Sequence, residues 1–251
     1  MLDSLTKKNY YFTDFTEDVY TTILKKTLSK YSFILFDQIS YTENNQCLWR
    51  HDVDFSLSRA LSLAKIEADL SIKSTYFILI SGSFYNPLEK KMTDIIKSIL
   101  DMGHDIGVHL DCDYYNITSY TELEEKLLLE QKIFKSYFQH QPRAFSFHNP
   151  NAHSLSFNKD IICDMVNTYS STIKKCFKYC SDSNGIWRHD RLIDFVESVV
   201  GNIQVLTHPG WWQNEVLSPQ QRVYRCVSGR ANDVMVSYSE ALKEIRREDI
   251  G

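Results

Sequence analysis

Two carboxylates one residue apart, Asp52 and Asp54, lie in the stretch Leu48-Trp49-Arg50-His51-Asp52-Val53-Asp54-Phe55-Ser56. An apolar run passing into acids reads as a strand, and a period of two puts both carboxylates on one face with Val53 on the other. Carboxylates converging at a strand end repel each other unless a cation or a shared proton lies between them, which points to a metal or an acid–base site. The same residues also suit a strand that runs into a helix cap, with Ser56 or Ser58 opening the periodic segment that follows. Further on, His109 with Asp111 and Asp113, then His148, then His208 have the chemistry to ligate a metal or move protons, each at or just beyond the end of an expected strand. In α/β architectures the carboxyl ends of strands share one mouth, so residues far apart in sequence meet there. His51, His104, His153 and His189 are read as hydrogen-bonded structural histidines.

The elements that must carry these residues follow from periodicity. A first helix has acids in its opening turn (Thr16-Glu17-Asp18) and a stripe of Val19, Ile23 and Leu24. Tyr31 to Phe36 reads as a short strand and Leu48 to Asp54 as the acidic one; Leu57, Ala60, Leu61, Ala64 and Ala68 then recur at helical spacing. Ser74 to Ile80 is β-rich and apolar almost throughout, as in a strand buried on both faces. Met92, Ile95, Ile96, Ile99 and Leu100 form an amphipathic helix closed by Gly103, and the alternation through Ile106, Val108 and Leu110 aims His109 away from the apolar face. Thr121-Glu122-Leu123-Glu124 reads as a capping box opening a helix that Gln141-Pro142 ends, and Ala144 to His148 as another strand. Asn149 to Ser171 is expected to be a loop with one helix around Ile161 to Val166. Thr172 to Tyr179 suits strand and extended loop equally. Ile203 to His208 is a strand stopped by Pro209-Gly210, and Glu240 to Glu248 a charged helix. This alternation predicts an α/β fold, a mostly parallel sheet or β/α barrel in a single domain over residues 1–251.

At 251 residues the chain can bury a full core. Its 28 Lys and Arg against 32 Asp and Glu, without a basic block, favour neither nucleic acid nor an anionic membrane as partner. No apolar run reaches the roughly 18 residues of a membrane span. The N-terminus, Met1 to Lys8, lacks the apolar core of a signal peptide, and six scattered cysteines (Cys47, Cys112, Cys163, Cys176, Cys180, Cys226) form no Cys-x-x-Cys pair. Together these suggest reduced thiols in a cytoplasmic protein. The pair Cys176 and Cys180 has no second pair to complete a zinc knuckle. Nothing in the sequence indicates an oligomeric state.

In order along the chain, Arg50-His51-Asp52-Val53-Asp54, Thr75-Tyr76-Phe77, Gly103-His104-Asp105-Ile106-Gly107-Val108-His109, Ser146-Phe147-His148-Asn149-Pro150 and Leu206-Thr207-His208-Pro209 resemble the polysaccharide deacetylase superfamily, of the NodB-homology or carbohydrate esterase 4 type. The likeness is to a divergent WbmS-like branch, covers roughly residues 45–215, and is most specific in the Gly103 to His109 block. It implies a distorted (β/α) barrel holding a divalent metal, usually zinc, with one Asp and two His as ligands. It also implies an Asp general base and a late His general acid, acting in removal of an N-acetyl group from an amino sugar.

Transferred position by position, the resemblance makes Asp54 the metal carboxylate, His109 the first metal histidine and His208 the acid. The family base lies immediately before the metal Asp, where this chain has Val53, so Asp52 takes that role or exchanges roles with Asp54. The second metal histidine would fall where this chain has Asp113. His148 is therefore preferred as third ligand, with Asp113 as the alternative and Asp111 behind it. Asp182 and Arg188, in a polar loop, are candidates to hold substrate. Trp211 could stack on a sugar, as could Tyr76, Trp187 and Trp212, although all four also suit core packing. The implied protein is a metal-dependent amide hydrolase, a carbohydrate deacetylase, acting on a small-molecule or carrier-linked amino sugar in surface-polysaccharide biosynthesis. The alternatives are a hydrolase of non-sugar amides on the same fold and a non-catalytic sugar-binding relative.

Overall fold

Apolar β-rich runs alternating with amphipathic helices produce the expected α/β architecture in the computed structural model, which describes residues 10–250. The N-terminal stretch Met1 to Lys8, read above for a signal peptide, lies outside the described residues. Nine strands form one sheet: β1 (Ser32–Ile34), β2 (Gln46–Val53), β3 (Thr75–Ile78), β4 (Asp105–Leu110), β5 (Ala144–Phe147), β6 (Ile161–Ile162), β7 (Met165–Asn167), β8 (Phe177–Ser181) and β9 (Asn202–Thr207). The order is β6-β7-β5-β4-β3-β2-β9-β8, with β1 also on β2, and every pairing is parallel except β6 with β7. Around it lie α1 (Glu17–Leu28), α2 (Leu57–Asp69), α3 (Lys90–Asp101), α4 (Tyr120–Phe138), α5 (Ser171–Cys176), α6 (Leu192–Ser198) and α7 (Pro219–Glu244). The sheet curls strongly. Arg50 on β2 donates across the interior to Thr168 and Tyr169, just past β7, although three strands separate β2 from β7. The result is a distorted, unclosed (β/α) barrel.

Register sets which residues look inward. Asp52 pairs with Phe77 and Phe77 with Gly107, while His109 pairs with Ser146, so Asp52, His109 and Ser146 share the concave face. Gly107 is required there: a Cβ on it would lie 2.3 Å from Phe77 Cε1 and 2.9 Å from the Ala144 carbonyl oxygen. The closed end of the barrel is plugged by Phe36, Leu48, Phe77, Ala144, Ile173 and Phe177. The convex face packs α2, α3 and α4 on one side and α1 and α6 on the other.

On that convex face His51 and His104 hold a buried carboxylate, as expected of structural histidines. Glu67 of α2 lies 2.7 Å from His51 Nε2 and 3.6 Å from His104 Nδ1. It also accepts from Ser74 (2.6 Å), Tyr76 (2.8 Å) and Tyr20. Burial works against this charge, but His51, His104 and the Ser74 hydroxyl outweigh it and bring the carboxyl down to about 2.

Four local expectations change. Ile161 to Val166 is a hairpin, not a helix: Cys163 and Asp164 both take left-handed dihedrals (φ 50 and 60), the two-residue turn that suits antiparallel strand twist. Residues 172–179 divide into α5, capped by Ser170 Oγ on the Ile173 N–H at 3.2 Å, and β8. The capping box of α4 uses Ser119 and Glu122, two residues before Thr121, because the Ser119 hydroxyl accepts from the Glu122 N–H while that carboxylate accepts from the Ser119 N–H. The final helix begins at Pro219, anchored by fully buried Arg222, which donates to the Gly185 (3.0 Å) and Phe12 (3.2 Å) carbonyls.

Candidate active site

β2 ends at Val53, so Asp52 is its last inward residue and Asp54 sits just beyond, at the mouth. Asp52 is 2% exposed. Its Oδ2 accepts from Ser146 Oγ at 3.1 Å and lies 3.6 Å from Arg50 Nη2 and 3.9 Å from His109 Nε2. Its Oδ1 is buried without a hydrogen-bond partner among the described residues. Asp54 reaches two histidines: Oδ1 is 3.1 Å from His109 Nε2 and Oδ2 is 3.7 Å from His208 Nε2. Burial would raise the Asp54 carboxyl, but the charge of His208 and the hydrogen bond and charge of His109 prevail and hold it below the ordinary carboxylate value.

The other ring nitrogens are fixed by outer partners. Ser146 Oγ donates to Asp52 and lies 3.2 Å from His109 Nδ1, which holds the ring with Nε2 turned toward Asp54. His148 Nδ1 lies 3.0 Å from Asp111 Oδ2, and its Nε2 takes a 3.2 Å contact from Asn149 Nδ2. His208 Nδ1 is 2.6 Å from Asp182 Oδ1, and the same carboxylate accepts from the His208 backbone N–H (2.9 Å) and Trp212 Nε1 (2.9 Å). Burial pulls the His208 pKa down, but the charges of Asp182 and Asp54 push it up further, to about 9. His208 is thus an imidazolium at neutral pH.

A cavity of about 140 Å³ opens over this group, walled by Asp52, Asp54, His109, His208, Trp211 and Tyr179 among others. His148 stands beside it, its ring 5.3 Å from that of His109. Asp113 is exposed, 3.4 Å from Asn151 Nδ2, and Asp111 accepts from the Asp113 and Tyr114 backbone N–H groups as well as facing His148. Two candidates for holding substrate lie elsewhere. Asp182 is 0% exposed beneath His208, so its carboxylate orients that ring and does not meet solvent. Arg188 is exposed on a neighbouring cavity with Ser183 and His189, outside the one over the carboxylates.

The donor types suit a divalent cation: a carboxylate, and imidazoles whose Nδ1 atoms are held by Ser146 and Asp111, the outer support that metal-binding histidines use. Asp54 and His109 already face each other, and the unpartnered Asp52 Oδ1 adds a buried anionic atom beside them. The set is open as it stands, since among the described residues no three His, Cys, Asp or Glu are gathered closely enough to close around an ion. Sequence reasoning passed over Ser146 and Arg50, although each lies two residues before a singled-out residue on the same strand face, and period two would have found both.

No family model matches the chain, and no curated protein matches it. Among solved structures it is similar to the catalytic domain of a peptidoglycan N-acetylglucosamine deacetylase from Eubacterium rectale, at 15% identity and TM-score 0.46 over 76% of this chain and 86% of that one. It is similar also to a family 4 acetyl xylan esterase from Clostridium thermocellum in complex with a cobalt ion (12% identity, TM-score 0.44, 74% and 83%). A CE4 family pseudoenzyme from Bacillus anthracis is similar at 13% identity and TM-score 0.45, over 74% of this chain and 60% of that one.

Proposed function

We propose that this protein is a divalent-metal-dependent hydrolase, with zinc as the metal, that removes an N-acyl group from an amino sugar or sugar precursor of surface-polysaccharide biosynthesis in the cytoplasm. The observation that carries the reading is one cavity walled by both Asp52, a carboxylate whose Oδ1 has no hydrogen-bond partner among the described residues, and His208, an imidazole whose pKa is pushed up to about 9. Amide hydrolysis needs both: a base for the attacking water and an acid for the amine, which leaves poorly as an anion. Asp54 and His109 would hold the cation with His148 as third ligand, and such an ion supplies Lewis-acid polarisation of the amide carbonyl. Asp52 takes the water's proton, fixed for that role by Ser146. His208 gives its Nε2 proton to the departing nitrogen, and Asp182 fixes the ring while this happens. The small cavity, about 140 Å³, suits a short acyl group with the sugar carbon bearing it.

One observation favours a second reading, sugar binding without turnover: Arg50 lies 3.6 Å from Asp52 Oδ2 and opposes its action as a base. Release of free amine from N-acetylhexosamines and their activated derivatives by zinc-loaded protein separates the two. Asp52→Asn and His208→Gln should each lower kcat by about 10²–10⁴-fold. Hydrolysis confined to non-sugar amides, or an Asp52→Asn variant with full turnover, contradicts the proposal.

A further inference from the structure

A second, larger cavity, about 600 Å³, adjoins the first where the two ends of the unclosed sheet approach each other. Tyr169 and Tyr179 stand in the walls of both, so the two cavities lie on either side of these rings. Three exposed lysines rim it, Lys174 and Lys175 at the end of α5 and Lys178 on β8, against a single acid on its wall, Asp190. Among the described residues none of the three lysines is paired with a carboxylate, and Lys174 sits 5.9 Å over the Tyr169 ring. Deeper in, Gln204 is 3% exposed and its Oε1 has no hydrogen-bond partner among the described residues. A buried amide oxygen without a donor is costly unless a ligand supplies one.

We infer that this cavity binds the diphosphate-bearing part of the substrate, so that the reacting amino sugar arrives attached to a carrier through a diphosphate. Ammonium groups on flexible stems neutralise phosphate oxygens as point charges. The Tyr169, Phe177 and Tyr179 rings offer apolar faces to the group beyond the phosphates, and the volume is that of an ordinary small-molecule site. The free Gln204 acceptor matches an N–H donor of a nucleobase. The inference rests on reading the neighbouring cavity as the place of an acylamino sugar.

The test is calorimetric titration of the full chain in a chelator, so that no metal mediates phosphate binding. The probes are uridine diphosphate and farnesyl diphosphate, with neutral N-acetylglucosamine as control. One of the two diphosphates should bind at one per chain. The double variant Lys174→Glu with Lys178→Glu should weaken it by at least about tenfold, with an unchanged circular dichroism spectrum. Uridine diphosphate binding that is also lost in Gln204→Leu assigns a nucleotide carrier; farnesyl diphosphate binding alone assigns a lipid one. Failure of both diphosphates to bind, or affinity unaltered by the charge reversals, overturns the inference. Binding is read without metal or turnover, so failure of the hydrolase reading would show separately, as absent amine release by zinc-loaded protein from both neutral and diphosphate-linked N-acetylhexosamines.

Discussion

Replacing Asp182 by Asn should bring the titration of His208 down to neutral pH or below. The His208 pKa of about 9 lies roughly 2.5 units above the ordinary 6.5, worth about 3 kcal/mol in favour of the charged ring. Burial opposes that shift, and Asp182, 2.6 Å from Nδ1, is the first of the charges that reverse it, ahead of Asp54. An Asn keeps one acceptor for Nδ1 but removes the charge, so burial gains the upper hand and the midpoint should fall by about 2 units or more. The sign for stability follows: a raised folded pKa contributes fully below 6.5, and the contribution disappears as pH rises through about 9. The wild type should therefore lose about 3 kcal/mol between pH 6.5 and 9 from this group, and Asp182→Asn should show little such slope. Nitrogen-15 NMR of the histidine side chains in metal-free protein reads the midpoint directly. A wild-type midpoint near 6.5, or a variant midpoint within half a unit of the wild type, would refute the electrostatic origin of the His208 shift.

Two further outcomes follow from packing and charge away from the mouth. Glu67→Gln should destabilise the protein by about 3–5 kcal/mol in urea unfolding, since it leaves the partners of a buried ion pair unmatched. Because the folded Glu67 pKa is depressed from 4.5 to about 2, its stabilisation is present above pH 4.5 and lost as pH falls toward 2; the variant should lack that part of the acid limb, and an unchanged limb would contradict the network. Gly107→Ala should cost about 1–3 kcal/mol, because the new methyl meets both the Phe77 ring and the Ala144 carbonyl. An unchanged melting temperature would show that the sheet yields there more easily than the spacing implies.

The strands that bear Asp52, His109, His148 and His208 were legible because period-two burial and strand-end placement are local properties of sequence. The parallel sheet followed from strands alternating with helices. What escaped depended on distant partners. Asp182 resembles a solvated loop acid until the chain brings His208 and Trp212 onto it, and only then is it a buried orienting group. The β6–β7 hairpin carries Cys163-Asp164 at its turn, without the glycine that usually marks such a turn, so its apolar residues passed for a helix. The start of α7 was hidden because its anchor is an arginine, Arg222, buried over Phe15 at 4.3 Å, and no periodic apolar stripe announces it. Arg50 likewise gave no sign that its charge would cross the barrel to Thr168 and Tyr169, since that contact exists only once the sheet has curled.

If Asp54 and His109 form the core of a divalent-metal site facing His208, as proposed, titration with cobalt(II) followed by visible absorption reads that site. One saturable site per chain is expected, with d–d bands of nitrogen and oxygen ligation. In Asp54→Ala and His109→Ala the affinity should fall by more than the roughly 10–100-fold that loss of an outer partner costs. Absence of a cobalt spectrum in the wild type, or a spectrum unchanged in both variants, would contradict the proposed site.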